Sequence, residues 1–201
     1  MTIAISQNAH QRALLAIFAS EARVAVLRVF MLDPLRAYYQ RQIEAATGLA
    51  IRAVQRELER LTAIALLYRR EEGNRTYYQV DIQYSFFPEL RGIILKMSDP
   101  ADRIRGLLAL EESVCLAFLN EGEGRVLIVT TGGKRPSLAE PGAFALDVMS
   151  SEEFTRVLSA DARSLEIFLV QGVDLLGRRE DVIWRRIEAA GYAVKKGKGV
   201  P

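Results

Sequence analysis

The sequence predicts an α+β protein of two domains, a helix-turn-helix with a β-hairpin wing in front and a small α/β domain behind. Three observations predict it. An apolar helical period is broken at Thr47-Gly48-Leu49, two β-rich runs flank Gly73-Asn74, and strand-sized apolar runs follow at 114–119 and 126–129. The expected boundaries are 1–97 for the front domain, 101–194 for the rear domain and 195–201 for a basic, flexible tail. Met97-Ser98-Asp99-Pro100 marks the division with turn residues and a change of charge sign.

Residues 9–19 read as a helix with Leu14, Leu15 and Phe18 on one face. Ser20 caps a second helix, in which Val24, Leu27, Phe30 and Met31 recur at helical spacing before Pro34. A short helix follows with Ile43 and Ala46 one turn apart, and Gly48 supplies the positive φ that ends it. The next helix places Ile51, Val54, Leu58 and Leu61 in one buried stripe and turns Arg52, Gln55, Arg56 and Glu59 outward. Two strands flank the loop 71–75, and Pro88 opens a helix over 89–96 with Leu90, Ile93 and Ile94 on its apolar edge.

In the rear domain a helix is expected at 104–110 and strands at 113–119, 125–130 and 144–149, with an exposed loop at 131–142. Ser150-x-x-Glu153 is a capping box for a helix carrying Phe154, Val157 and Leu158. Asp161 caps the next, with Leu165, Phe168 and Leu169 inward and Gly172 closing it. A short strand at 173–176 and a helix at 181–190, with Ile183, Ile187 and Ala190 inward and Trp184 packed, complete an α/β order.

Half of the 201 residues are hydrophobic, which suits a globular chain and excludes a disordered one. No apolar run has membrane-spanning length, and the N-terminal stretch lacks the basic and apolar segments of a secretory signal. Cys115 is the only cysteine, so an internal disulfide and a thiolate metal site are excluded. A cytoplasmic protein with no membrane partner is the expectation. The net charge is only +2, but residues 36–80 hold eight Arg against five Glu and no Lys, whereas residues 81–194 hold thirteen basic and eighteen acidic residues. That asymmetry fits a module reading double-stranded DNA attached to something else.

Arg and Gln can bond bidentately to base edges, so Arg52, Gln55 and Arg56 are expected to face the major groove. Tyr39, Gln40 and Arg41 start the preceding helix, where they can hold a phosphate. Arg75 at the hairpin tip reaches a minor groove or a phosphate. Arg69 lies on the strand leading there, and alternation lets only one of Arg69 and Arg70 share the DNA face. Glu59 and Arg60 read as a solvated or phosphate-adjacent pair and not as base readers. One helix covers half a site, so a homodimer is expected, with helices 9–19 and 89–96 as its contact.

The segment 17–80, with TGLAIRAVQRELERL and REEGNRTYYQV at its centre and a Pro-Glu-Leu helix after it, resembles the N-terminal half of prokaryotic ArsR/MarR-like winged helix-turn-helix transcriptional regulators. It is most similar to those fused to a small nucleotidyltransferase-like domain, whose strands and closing segments SVCLAFL, RVLIVTTG, FALDVMSSEEF and VDLLG resemble. Active members carry Gly-Ser after the first strand and Asp-x-Asp at the head of the second, which hold a triphosphate and Mg²⁺. Here those places read Asn120-Glu121-Gly122-Glu123-Gly124 and Gly124-Arg125-Val126, and Asp147 is left as a lone acid. The resemblance therefore implies a transcription regulator with a degenerate, non-catalytic rear domain that serves as a sensor or oligomerisation unit. It implies no cofactor and no metal, with a small ligand or a protein partner of unknown identity as the rear domain's binding target. His10 as sole histidine, Cys115 in an apolar strand and Gly132-Gly133-Lys134 without full P-loop spacing add no catalytic set. The alternatives are a nucleotidyl-transferring enzyme and a docking partner of the toxin–antitoxin kind.

Overall fold

A computed structural model describes residues 12–136 and 143–198, in which helices and strands are mixed along the chain. Packing divides the chain into two units between Gly106 and Leu107.

In the first unit, helix α1 (residues 12–18) buries Leu14 and half-buries Leu15 and Phe18, while residues 9–11 and His10 lie outside the described residues. Ser20 Oγ accepts from the Arg23 amide at 3.2 Å and opens α2 (Glu21–Leu32), which buries Val24, Leu27, Phe30 and Met31 as their spacing predicts. Where the start of a helix was expected, Tyr38 and Tyr39 form strand β1 (Tyr38–Tyr39) instead. They pair with Tyr78 and Tyr77 of β3 (Arg75–Val80), so α3 (Gln40–Thr47) begins one residue later. Gly48, at φ 68°, ends α3 and donates its amide to the Glu44 carbonyl at 2.8 Å, as expected. Ile43 is the buried residue of α3, and Ala46 is exposed rather than apolar-facing.

Helix α4 (Ile51–Ala63) buries Val54, Leu58 and Leu61, but Ile51 is only half-buried and Glu57 joins the stripe. Strand β2 (Leu67–Glu72) meets β3 through the two residues Gly73 and Asn74, because Glu72 pairs with Arg75. Gly73 has φ 55°, which suits the first position of a tight hairpin turn. The antiparallel sheet order is β1-β3-β2. Helix α5 (Phe87–Lys96) carries Pro88 in its first turn. Helix α6 (Pro100–Ala109) starts before the expected 104, since Asp99 Oδ1 caps the Asp102 amide at 2.8 Å.

The front of α6 belongs to this unit. Arg28 of α2 holds Asp102 at 2.6 Å, Arg91 of α5 donates to the Met31 and Gly106 carbonyls, and a Cβ on Gly106 would overlap Leu95. Met97 to Pro100 is thus a link between two packed helices and not the boundary between units, which explains the later division.

The second unit is built on β4 (Val114–Asn120), β5 (Arg125–Thr130), β6 (Ala145–Ser150), β7 (Val173–Asp174) and β8 (Lys195–Lys196), in the order β6-β5-β4-β7-β8. β4 is antiparallel to β5 and β7, while β5–β6 and β7–β8 are parallel. Of the expected capping box the N-cap half is present: Ser150 Oγ accepts from the Glu153 amide at 3.0 Å and starts α7 (Ser151–Ala160). The helix expected from Asp161 is two pieces, a 3-10 turn (Ala162–Leu165) and α8 (Glu166–Leu169). In α9 (Val182–Ala189) Trp184 and Ile187 are buried, Ile183 is half-buried, and Ala190 beyond it is exposed. Phe118 of β4 centres the core, its ring stacked at 6.2 Å on Phe154 and 6.1 Å on Trp184.

Lys195 and Lys196 leave the expected flexible tail and pair with Val173 and Asp174 as β8. Asp174 explains this closure. Its buried carboxylate accepts from the Leu176 and Gly177 amides and from Arg179 Nε at 3.2 Å. Arg179 in turn lies 4.4 Å over Trp184 and donates to the Val194 carbonyl at 2.9 Å. Of the loop expected at 131–142, Thr131–Gly133 is a 3-10 turn and residues 137–142 lie outside the described residues. Among the described residues no helix is long and apolar enough to cross a membrane.

Gly172 serves for space and not for a positive φ: a Cβ there would overlap the Phe168 carbonyl oxygen and lie 3.0 Å from that of Leu119. Because both neighbours are backbone, Gly172→Ala is expected to cost about 1–3 kcal/mol of stability. A urea unfolding midpoint equal to the parent's would disprove this close approach.

Candidate nucleic-acid interface

The β1–β3 pairing builds the site. It sets Tyr39 beside Tyr77, two residues from Arg75, and so brings the start of α3 against the hairpin tip. Between them Tyr39, Gln40, Arg41, Asn74, Arg75 and Thr76 line an open groove of about 390 Å³. Backbone amides in the first turn of a helix lack intrahelical partners, which gives this end of the groove a positive character. The Arg75 guanidinium lies 5.0 Å over the Tyr39 ring, and Tyr39 meets Tyr77 edge-on at 6.0 Å. Arg75 is thereby folded back along the groove instead of projecting from the tip. A hydrogen bond with the Tyr77 side chain also raises its pKa above the ordinary arginine value.

The outer face of α4 adjoins this groove where Gln55 Nε2 donates to Gln40 Oε1 at 3.4 Å. Gln55 is half-buried and so differs from the exposed residue expected. Arg52 and Arg56 are exposed one turn apart, and neither they nor the exposed Arg41 joins an ion pair among the described residues. Five of the expected site residues, Tyr39, Gln40, Arg41, Arg75 and Gln55, fall at or beside this groove, and Arg52 and Arg56 flank Gln55 on α4.

Arg69 does not. Register pairs Arg69 with the buried Tyr78 and Arg70 with Tyr77, so Arg70 shares the sheet face of Tyr39 and Tyr77 while Arg69 lies on the opposite face. Both are also held by neighbouring acids, Arg69 by Glu71 at 2.6 Å and Arg70 by Glu72 at 3.0 Å. Alternation along the strand required one of the two, and only the register tells which.

Glu57 is the residue that pattern reading misses. It is 2% exposed on the inner stripe of α4 and accepts from Arg23 Nε at 3.1 Å and from Arg60 at 2.6 Å. Arg23 also donates to the Phe18 carbonyl at 3.1 Å, so one guanidinium joins the end of α1, α2 and α4. The expected Glu59–Arg60 pair is replaced by Glu57–Arg60. The signal was present in the sequence: an acid three residues after Val54 and beside Leu58 falls on the buried side of the helix and demands a cation.

In the second unit Arg125, at the head of β5, grips Asp147 of β6 with two bonds of 2.9 and 2.8 Å. The lone acid noted in the sequence is thus engaged by a guanidinium. Asn120 is buried, donates to the Ile167 carbonyl at 2.7 Å and accepts from the Glu123 amide at 3.1 Å, which shapes the loop and leaves Glu121 and Glu123 exposed. Cys115 sits at an irregularity in the β4–β5 register, half-buried and 3.4 Å from Thr131 Oγ1. Among the described residues no cluster of three or more His, Cys, Asp or Glu is arranged to hold a metal. No family model, curated protein or solved structure matches the chain.

Removing the Glu57 carboxylate leaves two guanidinium groups without their acceptor. Both are partly exposed, so Glu57→Ala is expected near the low end for a broken buried pair, roughly 3 kcal/mol. Chemical denaturation measures it, and a loss within about 0.5 kcal/mol, as for an ordinary surface change, would contradict the assignment.

Proposed function

We propose that the chain is a sequence-specific DNA-binding transcription regulator, and that residues of its first unit form a winged helix-turn-helix. In this reading α3 and α4 are the helix pair, α4 enters the major groove, and the β2–β3 hairpin is the wing. The observation that carries it is the α4 outer face. Arg52 and Arg56 stand there exposed and without ion pairs among the described residues, next to a groove that adds Arg41 and Arg75. Uncommitted guanidinium groups on one helix face match guanine O6 and N7, and the adjoining groove matches a backbone phosphate.

The chain acts as a homodimer in this proposal, since one helix covers only half of an operator. The second unit enters without catalysis, as a degenerate nucleotidyltransferase-like domain that senses a ligand, binds a partner or supports assembly. The Arg125–Asp147 pair supports this, because a carboxylate held by two guanidinium bonds is poorly disposed to take Mg²⁺.

Selection of duplexes from a random pool, followed by fluorescence anisotropy, tests the proposal. Arg52→Ala and Arg56→Ala are each expected to cost about 1–3 kcal/mol of specific binding without lowering the unfolding midpoint. Retention of no duplex at low salt would sink the proposal, and unchanged affinity in both variants would remove α4 from the interface.

A further inference from the structure

We infer that Gln40 is a positioning residue for base selection: it holds the Gln55 amide in one orientation, in which Gln55 selects adenine. The inference rests on the proposal that α4 reads the major groove. A glutamine on an open helix face has several rotatable bonds and an amide that can face either way, so fixing it costs conformational entropy. Gln55 is not in that situation. It is half-buried, and its Nε2 donates to Gln40 Oε1 at 3.4 Å.

The backbone that carries Gln40 is anchored. It is the first residue of α3, directly after Tyr39, whose amide donates to Gln42 Oε1 at 3.1 Å and whose backbone is paired with Tyr77. With the Nε2 hydrogen anti to Oε1 given to Gln40, the other hydrogen and Oε1 of Gln55 are left side by side. That donor and acceptor complement N7 and the N6 amino group of adenine. Guanine offers two acceptors, N7 and O6, and would set O6 against Gln55 Oε1. Turning the Gln55 amide to avoid this would place its oxygen against Gln40 Oε1 unless Gln40 turned as well.

Gln40 also lines the groove with Arg41 and Arg75. The same side chain therefore borders the place of a backbone phosphate and the base-facing amide. At 3.4 Å the amide–amide bond is longer than an ordinary N–H···O bond, and in this proposal exclusion of water by a duplex tightens it.

The test measures, on the full chain, relative affinities for a selected duplex and for duplexes each changed at one base pair. The parent protein is expected to prefer A·T at one position by about 5- to 150-fold, and Gln55→Ala identifies that position by abolishing the preference. Gln40→Met keeps the length and packing but lacks the amide. It is expected to lose roughly tenfold of the preference at that position, or all of it if the preference is smaller, while other positions keep theirs. Gln40→Glu keeps an acceptor for Gln55 and is expected to retain the preference at lower overall affinity, because its charge opposes the phosphates. Unfolding midpoints report that each variant is folded. A Gln40→Met protein with the parent's preference at the Gln55 position overturns the inference, as does a Gln40→Glu protein that loses it just as fully. A parent protein that distinguishes no duplex defeats the DNA-binding proposal itself, a result separable from a failure of Gln40 alone.

Discussion

The two-residue strand β1 is the constraint on which the candidate interface depends. Tyr38 and Tyr39 are paired with Tyr78 and Tyr77, and this register sets where α3 begins relative to the hairpin. Tyr38 fixes the pairing from inside. It is 1% exposed, meets Phe30 edge-on at 5.7 Å and donates its hydroxyl to Asp33 at 3.3 Å. Burial, with the Asp33 carboxylate nearby, pushes its phenol well above the ordinary tyrosine range, so it stays un-ionised and keeps donating. Tyr39, pointing the other way from the same strand, becomes the floor on which Arg75 lies.

A second constraint acts on α4 from beneath. An apolar residue at position 57 would have completed the stripe at lower desolvation cost, whereas Glu57 brings a charge into the interior and takes two arginines with it. The return is directional. A leucine stripe tolerates sliding and rotation, but the bonds from Arg23 and Arg60 meet a carboxylate in one geometry. With the buried Val54, Leu58 and Leu61, that inner anchor holds α4 so that Arg52 and Arg56 stay on its outer face.

Helical and strand periods carried much of the fold in the sequence. Ser20, Gly48 and Ser150 each stand where their chemistry places them, and the stripe Val54, Leu58 and Leu61 is buried. The elements that escaped are those decided by partners distant in sequence. Tyr38-Tyr39 has no strand pattern of its own and is a strand only because β3 is there. Lys195-Lys196 resembles a mobile tail until Asp174 and Arg179 draw the chain back to β7. Choosing between Arg69 and Arg70 needed the β2–β3 register, which the composition of the strand does not encode. The site residues were legible as types, Arg and Gln at helical spacing, but not as a connected set, because the Gln40–Gln55 contact spans two elements.

The placement of Arg75 depends on the residue count along β3. Strand β3 is paired on both sides, with β1 along one edge and β2 along the other. Deleting or adding a single residue between Arg75 and Tyr77 would transfer Arg75 to the face of Tyr78 and Val80, away from Tyr39, while leaving most backbone pairing possible. A change of one residue in this segment's length would thus trade the Arg75–Tyr39 stack for a different facing of the same arginine.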